Sequence, residues 1–419
     1  RGTRRLEIGR QPVEVARALR GEPGLVFFDS AGNFPQNHEP PVSVIAARPQ
    51  ELWRGELTDG TLRRELAAWQ AGAGEGLVAG WIDYEGAFCF GVYEDFLVFD
   101  HVADAWWGRG DLAAGLRWEE RTGPRPVLGE WHDSLPEGDF IKAVERAQDY
   151  IAAGDIYQVN VARRLSAACR GEGDLFPLYE RLRERSPAPW AAYVAMEGRE
   201  ILSSSPELFL RVEGGVVETR PIKGTRPRYA DEARDRASAA DLQSSVKEAA
   251  ELVMITDLER NDLGRVCEFG SVRVRDLLQL EKLAQVYHLV STVEGRLRAG
   301  EGVGDLLEAC FPGGSITGAP KKRACEIIAE LEPEARGFYT GTVGFVRAGG
   351  GAQFNIGIRS LVREGGVLSY GVGAGIVADS VPVEEFAETE AKARGLRLAL
   401  AAWEAGESGL GLVKEGKSV

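Results

Sequence analysis

Near its C-terminal end the chain carries three apolar-rich segments, Phe338 to Val346, Gln353 to Val362 and Val367 to Val377. The glycine turns Ala348-Gly349-Gly350-Gly351 and Glu364-Gly365-Gly366 join them, which predicts consecutive antiparallel strands. A fold for this chain is expected to hold these three as neighbouring strands. On the middle segment Asn355, Gly357 and Arg359 would share a face, setting a guanidinium over a floor that glycine has cleared, as a carboxylate seat. On the last segment Gly371, Gly373 and Gly375 alternate, which weakens a strand unless another group must approach its backbone.

The rest of the chain supplies further strands and the helices that cover them. A helical pattern runs from Pro12 to Arg20, Leu25-Val26-Phe27-Phe28 reads as a strand with Asp29 to Gly32 as its turn, and two more strands fall between Gly76 and Asp100. Gly123-Pro124-Arg125-Pro126 is the expected boundary, dividing an N-terminal subdomain, 1–126, from a catalytic region, 127–405, with a fraying tail at 406–419. Beyond it Asp139 is the expected N-cap of a helix whose apolar positions run from Phe140 to Ile151, with Gly154 just past its end. In the strand Ile156 to Arg163, Gln158 and Asn160 face one way, so one side presents amides. No internal repeat is apparent.

With 419 residues, 44% hydrophobic and 27% charged, the chain reads as an ordinary globular protein of one large or two ordinary cores. A net charge of -14 argues against nucleic acid as a partner, and an anionic substrate must be met by local positive charge. The five cysteines, Cys89, Cys169, Cys267, Cys310 and Cys325, are odd in number and lack a CxxC pair, so they read as reduced thiols. No run is long enough for a membrane span and the Arg-rich start lacks a signal peptide's apolar segment. The cytoplasm is the expected compartment.

Lys223, in Glu218-Thr-Arg-Pro-Ile-Lys-Gly-Thr-Arg-Pro-Arg228, is the first candidate for chemistry. It is either a solvated loop lysine or a nucleophile, freed as the neutral amine by enclosure and by the charge of Arg220 and Arg226. Two acidic pairs follow, Glu248 with Glu251 in a helix from Leu242 to Leu263, and Glu385 with Glu388 in a helix opening after Pro382. Such pairs are either solvated helix faces or, converging from two helices, the hard oxygen ligands Mg2+ asks for. Glu207, after Ser203-Ser204-Ser205-Pro206, is a general acid or part of a strand-end turn. Gly313 to Pro320, followed by Lys321-Lys322, is an anion-binding helix entry or a plain one, and His288 meets a substrate or sits satisfied in a core.

In order along the chain, Gly154-Asp155-Ile156-Tyr157-Gln158-Val159-Asn160, Ser204-Ser205-Pro206-Glu207, Pro221-Ile222-Lys223-Gly224-Thr225-Arg226-Pro227, Asp257 to Gly264 and Gly314 to Lys321 resemble the signatures of the chorismate-utilising enzymes. The resemblance is dense from about Phe140 to Leu398. It implies an α+β fold in which large antiparallel sheets pack as a sandwich, with helices outside and the site in a cleft between the sheets. Anthranilate synthases carry Ala where this chain has Lys223, and isochorismate and salicylate synthases carry Lys where it has Gln158. The chain is therefore most similar to the aminodeoxychorismate synthase branch, with the anthranilate synthase large subunit as the alternative.

The resemblance further implies that Lys223 attacks chorismate, that Glu207 is the acid, and that ammonia displaces the lysine to give 4-amino-4-deoxychorismate on the way to para-aminobenzoate and folate. It implies Mg2+ held by Glu251 and Glu388, with Glu385 assisting through water. Arg359, His288, Thr342, Gln158, Thr225 and the backbone of Gly373, Ala374 and Gly375 would hold the substrate. Because none of the cysteines has a glutaminase setting, ammonia is expected from a separate glutaminase subunit or from solution. Phe28-Asp29-Ser30-Ala31 is similar to the lining of a tryptophan pocket, with Ser30 and Pro189 as its residues.

Overall fold

A computed structural model describes residues 3–30, 41–72, 76–118, 124–283 and 285–406. The tail 407–419, Ala31 and Gly32 of the first predicted turn, and Gly123 of the boundary lie outside the described residues. The described strands form two antiparallel sheets, one of twelve strands and one of ten. The larger runs in the order Arg4–Leu6, Ala105–Arg109, Phe96–Asp100, Val42–Ala46, Leu25–Asp29, Trp190–Met196, Arg199–Ser205, Ser360–Glu364, Val367–Ile376, Gln158–Arg170 and Gly318–Ala319, with Val127–Asp133 also on Gln158–Arg170. The smaller runs Ile222–Pro227, Val286–Arg296, Val216–Arg220, Leu208–Glu213, Ala352–Asn355, Thr342–Arg347, Leu77–Ile82, Ala87–Tyr93 and Glu51–Glu56, with Arg273–Lys282 on the other edge of Val286–Arg296.

Alternation along the strands builds three layers of apolar contact. Val26, Phe28, Val194 and Ile201 of the larger sheet meet Ala79, Trp81, Val343 and Phe345 of the smaller in one cluster between the sheets. Their neighbours Phe27, Tyr193 and Leu202 point the other way, onto the helices Pro12–Ala18, Phe176–Arg185 and Pro382–Glu404. The smaller sheet turns Phe90, Leu210 and Phe354 outward against Thr61–Ala71, Val303–Cys310 and the end of Val246–Gly264. Strands from both sides of residue 126 lie in each sheet: Leu25–Asp29 pairs with Trp190–Met196, and Leu77–Ile82 with Thr342–Arg347. The expected N-terminal subdomain is thus a segment of chain built into both layers.

Several expected boundaries move for local physical reasons. The helix Glu137–Ala152 starts two residues before Asp139, which sits in its first turn and bonds Lys142 at 2.8 Å, an acidic residue favoured there by the helix dipole. Gly154, at φ 82°, closes its end as expected. The helix expected from Leu242 is two, Glu232–Ser244 and Val246–Gly264, broken at Ser245, whose hydroxyl accepts from the Glu248 N–H at 3.3 Å. Between Gly76 and Asp100 there are three strands, and the third, Phe96–Asp100, belongs to the larger sheet.

The middle C-terminal segment is the largest departure. It is not one strand: Ala352–Asn355 lies in the smaller sheet, the chain crosses at 356–359, and Ser360–Glu364 enters the larger. Asn355, Gly357 and Arg359 therefore do not share a strand face.

Candidate active site

A second crossover runs beside that one. Arg199–Ser205 belongs to the larger sheet and Leu208–Glu213 to the smaller, so Pro206 and Glu207 span the gap. The two crossovers are stitched together, with the Ile356 N–H donating to the Glu207 carbonyl at 3.1 Å and the Ser204 N–H to the Arg359 carbonyl at 3.1 Å. Glu207 and Arg359 are thereby delivered to one place by the two stretches of chain that switch sheets. Arg359 holds φ 49°, a sparsely populated conformation for a side-chain-bearing residue.

Both residues line a cavity of about 420 Å3 between the sheets, a volume suited to a small ring compound. One wall is Lys223 to Arg226 and His288 from the smaller sheet. The facing wall is Asn160 with Gly371, Gly373 and Gly375 from the larger, and the helices Val246–Gly264 and Pro382–Glu404 supply Glu251 and Glu388. A register shift between Lys223 and Thr225, with Gly224 at φ 71°, forms a bulge that re-aims the lysine. A Cβ on Gly224 would also lie 2.6 Å from Leu242 Cδ1. Across the cavity a Cβ on Gly375 would sit 2.5 Å from Gln158 Nε2 and 3.4 Å from Lys223 Nζ, so the bare backbone is what lets these side chains meet.

The electrostatics differ from the sequence expectation in one respect. Arg220 is hydrogen-bonded to Glu281, and Arg226 pairs with Asp241 at 2.6 Å and Glu248 at 3.6 Å, so neither guanidinium is left to crowd the lysine. Lys223 instead faces carboxylates: its Nζ is 3.7 Å from Glu251 Oε2, with 13% of the side chain exposed. It does not point into bulk solvent. Burial pushes the Glu207 carboxyl up to about 7, while Ser315 and Lys223 pull the other way. Burial likewise raises Glu251, partly offset by Lys223. Burial would raise Glu388 too, but the Lys392 ammonium, 2.6 Å away, together with Lys223 and Lys247 outweighs it and holds the carboxyl below its usual value.

Burial pushes His288 down to about 3, with Arg359 adding to the shift, so the ring is neutral across the working pH range. Its Nδ1 lies 3.0 Å from Thr225 Oγ1 and 3.4 Å from the Gly224 carbonyl, and its Nε2 is buried without a partner among the described residues. Among the described residues no carboxylate lies at ion-pair distance from Arg359, and Glu207 is the opposing charge it feels. An unpaired guanidinium facing a cavity is a seat for an anion.

Other expected residues are placed elsewhere. Thr342 is fully buried in the smaller sheet and donates to the Asn355 carbonyl at 2.5 Å. Ala374 points away from the cavity into an apolar cluster with Phe140 and Val159, as strand alternation requires when Gly373 and Gly375 face inward. Gln158 is buried behind the lining, beside Gly375. Lys321 bonds Asp262 and the Cys310 carbonyl, so the helix entry at Gly313 to Pro320 contributes Ser315 and Ile316 to the cavity and no free lysine. Ser30 Oγ is 3.1 Å from His101 Nε2, and Pro189 lines a separate cleft of about 10 Å3, room for one water and not for an indole.

Glu251 and Glu388 fit a magnesium ion by the chemistry of the donor set: two hard carboxylates from different helices on one cavity, with room for water and a substrate carboxylate. Glu385, expected to assist through water, is not in the lining of the cavity. It accepts from Ser380 at 2.7 Å and pairs with Lys247 at 3.4 Å, and no cluster of three ligating side chains occurs among the described residues. The sequence reading missed Lys392, which also donates to the Gly373 carbonyl at 2.9 Å. Its position four residues after Glu388 on one helix was the available signal.

Comparison with known proteins agrees with this architecture. Residues 37–397 match the family model for the chorismate binding enzyme. Anthranilate synthase component 1 of Streptomyces coelicolor is 47% identical over 64% of this chain, and the match spans about half, 53%, of that protein. Aminodeoxychorismate synthase component 1 of Bacillus subtilis is 40% identical over 74% of this chain and 70% of its own length. Among solved structures, anthranilate synthase component I of Streptococcus pneumoniae has a TM-score of 0.73 at 28% identity, covering 86% of this chain and 93% of that one. The menaquinone-specific isochorismate synthase of Escherichia coli has a TM-score of 0.79 over 95% of each chain at 19% identity, a likeness of fold.

Proposed function

The chain belongs to the chorismate binding enzyme family, and from that premise we propose that it converts chorismate and ammonia to 4-amino-4-deoxychorismate through a covalent adduct on Lys223. The observation that carries this reading is the enclosure, in one cavity with an unpaired arginine, of a lysine amine and of Glu207, a carboxyl that burial pushes up to about 7 so that it still carries protons near neutral pH. The Lys223 amine bonds to ring C2, the two ring double bonds shift, and the C4–O bond breaks while Glu207 gives its proton, so the hydroxyl departs as water. Ammonia then bonds to C4, the double bonds shift back, the C2–N bond breaks to release Lys223, and the surplus ammonia proton returns to Glu207.

Arg359 seats one substrate carboxylate, and the bare backbone at Gly373 and Gly375 lets the ring lie close to the sheet. Magnesium, held by Glu251 and Glu388, would seat the other carboxylate and offset the charge of a dianion beside acidic side chains. His288, whose buried Nε2 has no partner among the described residues, hydrogen-bonds the substrate or the incoming ammonia in this reading. A separate glutaminase subunit or free ammonium supplies the nitrogen in this reading.

The 47% identity to a protein named anthranilate synthase component 1 favours a second reading, direct attack of ammonia at C2 to give anthranilate. Product analysis of the purified chain with chorismate, Mg2+ and ammonium separates the two. The expected product is 4-amino-4-deoxychorismate, and intact-protein mass spectrometry is expected to catch the lysine adduct when ammonia is withheld; anthranilate as the main product overturns the assignment. Lys223→Ala is expected to slow amination at C4 by orders of magnitude or divert product to anthranilate.

A further inference from the structure

Three lysine–glutamate pairs surround the mouth and wall of the cavity. Lys223 lies 3.7 Å from Glu251, Lys392 2.6 Å from Glu388, and Lys247 3.4 Å from Glu385. The first two involve the carboxylates that fit a metal ion; the third does not, since Glu385 is also tied to Ser380 at 2.7 Å. An ammonium group and a divalent cation on the same carboxylate repel each other strongly in so enclosed a place. Glu251 is 9% exposed, so little water is on hand to screen them there, whereas Lys392 and Glu388 are half-exposed and their contest is the weaker one.

Resting on the reading above that Glu251 and Glu388 hold a divalent cation, we propose that Lys223 and Lys392 are built-in competitors for that site. Each lysine occupies one carboxylate until metal arrives, and the exchange that loads the metal is the event that frees the Lys223 side chain from Glu251. The two lysines are not equivalent. Lys392 keeps a second acceptor, the Gly373 carbonyl at 2.9 Å, and stays anchored when Glu388 lets go. Lys223 makes no side-chain hydrogen bond among the described residues and is held by the ion pair to Glu251, so once Glu251 is taken it is the mobile member. A lysine placed to attack a ring is thus kept in an ion pair while the site is empty, which protects it from stray electrophiles.

Linkage makes the exchange measurable without turnover, because whatever the lysine costs the metal, the metal costs the lysine. The full chain, stripped with chelator, is titrated with Mn2+, which takes the same hard oxygen ligands, and free Mn2+ is read by electron paramagnetic resonance. Lys223→Met is expected to bind Mn2+ about tenfold more tightly than wild type, a coupling of ordinary size, and Lys392→Met, in the more exposed pair, to bind it more tightly by a smaller factor. Lys247→Met removes a charge that is paired with Glu385 and reaches Glu251 and Glu388 only through space, and is expected to tighten binding less than Lys223→Met does. In the wild-type chain, reductive methylation of Lys223 followed by peptide mass spectrometry is expected to speed up when Mg2+ is added.

Unchanged or weaker Mn2+ binding in Lys223→Met, equal tightening in Lys247→Met, or slower methylation with Mg2+ each overturns the competition. Absence of Mn2+ binding from wild type and variants alike removes the metal site itself. The identity of the product from chorismate is a separate readout and stands or falls on its own.

Discussion

Glu207 shows how burial sets the chemistry of a single side chain. Moved from 4.5 to about 7, its carboxyl keeps its proton below that pH and loses it above, so turnover is expected to fall as pH rises through about 7, read from a kcat/KM profile. The same displacement works against stability: its contribution is fully present below the unfolded value and is lost by the time pH passes the folded one. Glu207→Gln is accordingly expected to slow turnover a hundredfold or more. It is also expected to raise the melting temperature at pH 8, where the buried carboxylate costs wild type something on the order of 3 kcal/mol. A melting temperature at pH 8 equal to or below that of wild type would contradict this account. Glu259, fully buried behind the site, is raised further by burial and by Glu207, and accepts from Thr219 at 2.8 Å. At the residue scale Lys223 and Glu207 stood out in the sequence through their neighbours, whereas the paired state of Arg220 and Arg226 depends on carboxylates from distant segments.

Among the elements, the two sheet-switching stretches matter most, because they bring Glu207 and Arg359 together. Neither could be read locally. From Gln353 to Val362 the residues keep a strand-like pattern, and period-two alternation says nothing about which sheet a strand joins. The floor of the cavity was legible: alternating Gly371, Gly373 and Gly375 on the strand Val367–Ile376 announced a close approach, although alternation also turned Ala374 away. Gly375→Ala is expected to lower kcat at least tenfold with the fold retained by circular dichroism, since its methyl would meet Gln158 Nε2 at 2.5 Å and Lys223 Nζ at 3.4 Å. Wild-type kcat in that variant would show that the lysine does not work beside this backbone.

At the scale of the whole molecule, the interleaving of strands from before and after residue 126 makes the sandwich one cooperative body. Phe28 and Phe345 meet between the sheets with ring centroids 5.0 Å apart, one from each side of that division. Phe345→Ala is expected to cost roughly 3–5 kcal/mol and to shift a single calorimetric transition as a unit. Two resolved transitions would instead favour separately folding regions. An overall charge of -14 leaves substrate capture to local cations, and the structure places Arg359, Lys223 and Lys392 in the wall of one cavity.

By itself the sequence determined the antiparallel character of the sheets, the helices that cover them, and the family signatures, because glycine turns, alternation and capping act over a few residues. Only the tertiary structure decided which strands change sheets, which carboxylate each cation faces, and whether a glutamate keeps its proton. Those outcomes depend on burial and on partners tens to hundreds of residues away, and charges in a low-dielectric cleft answer to whatever the fold sets beside them.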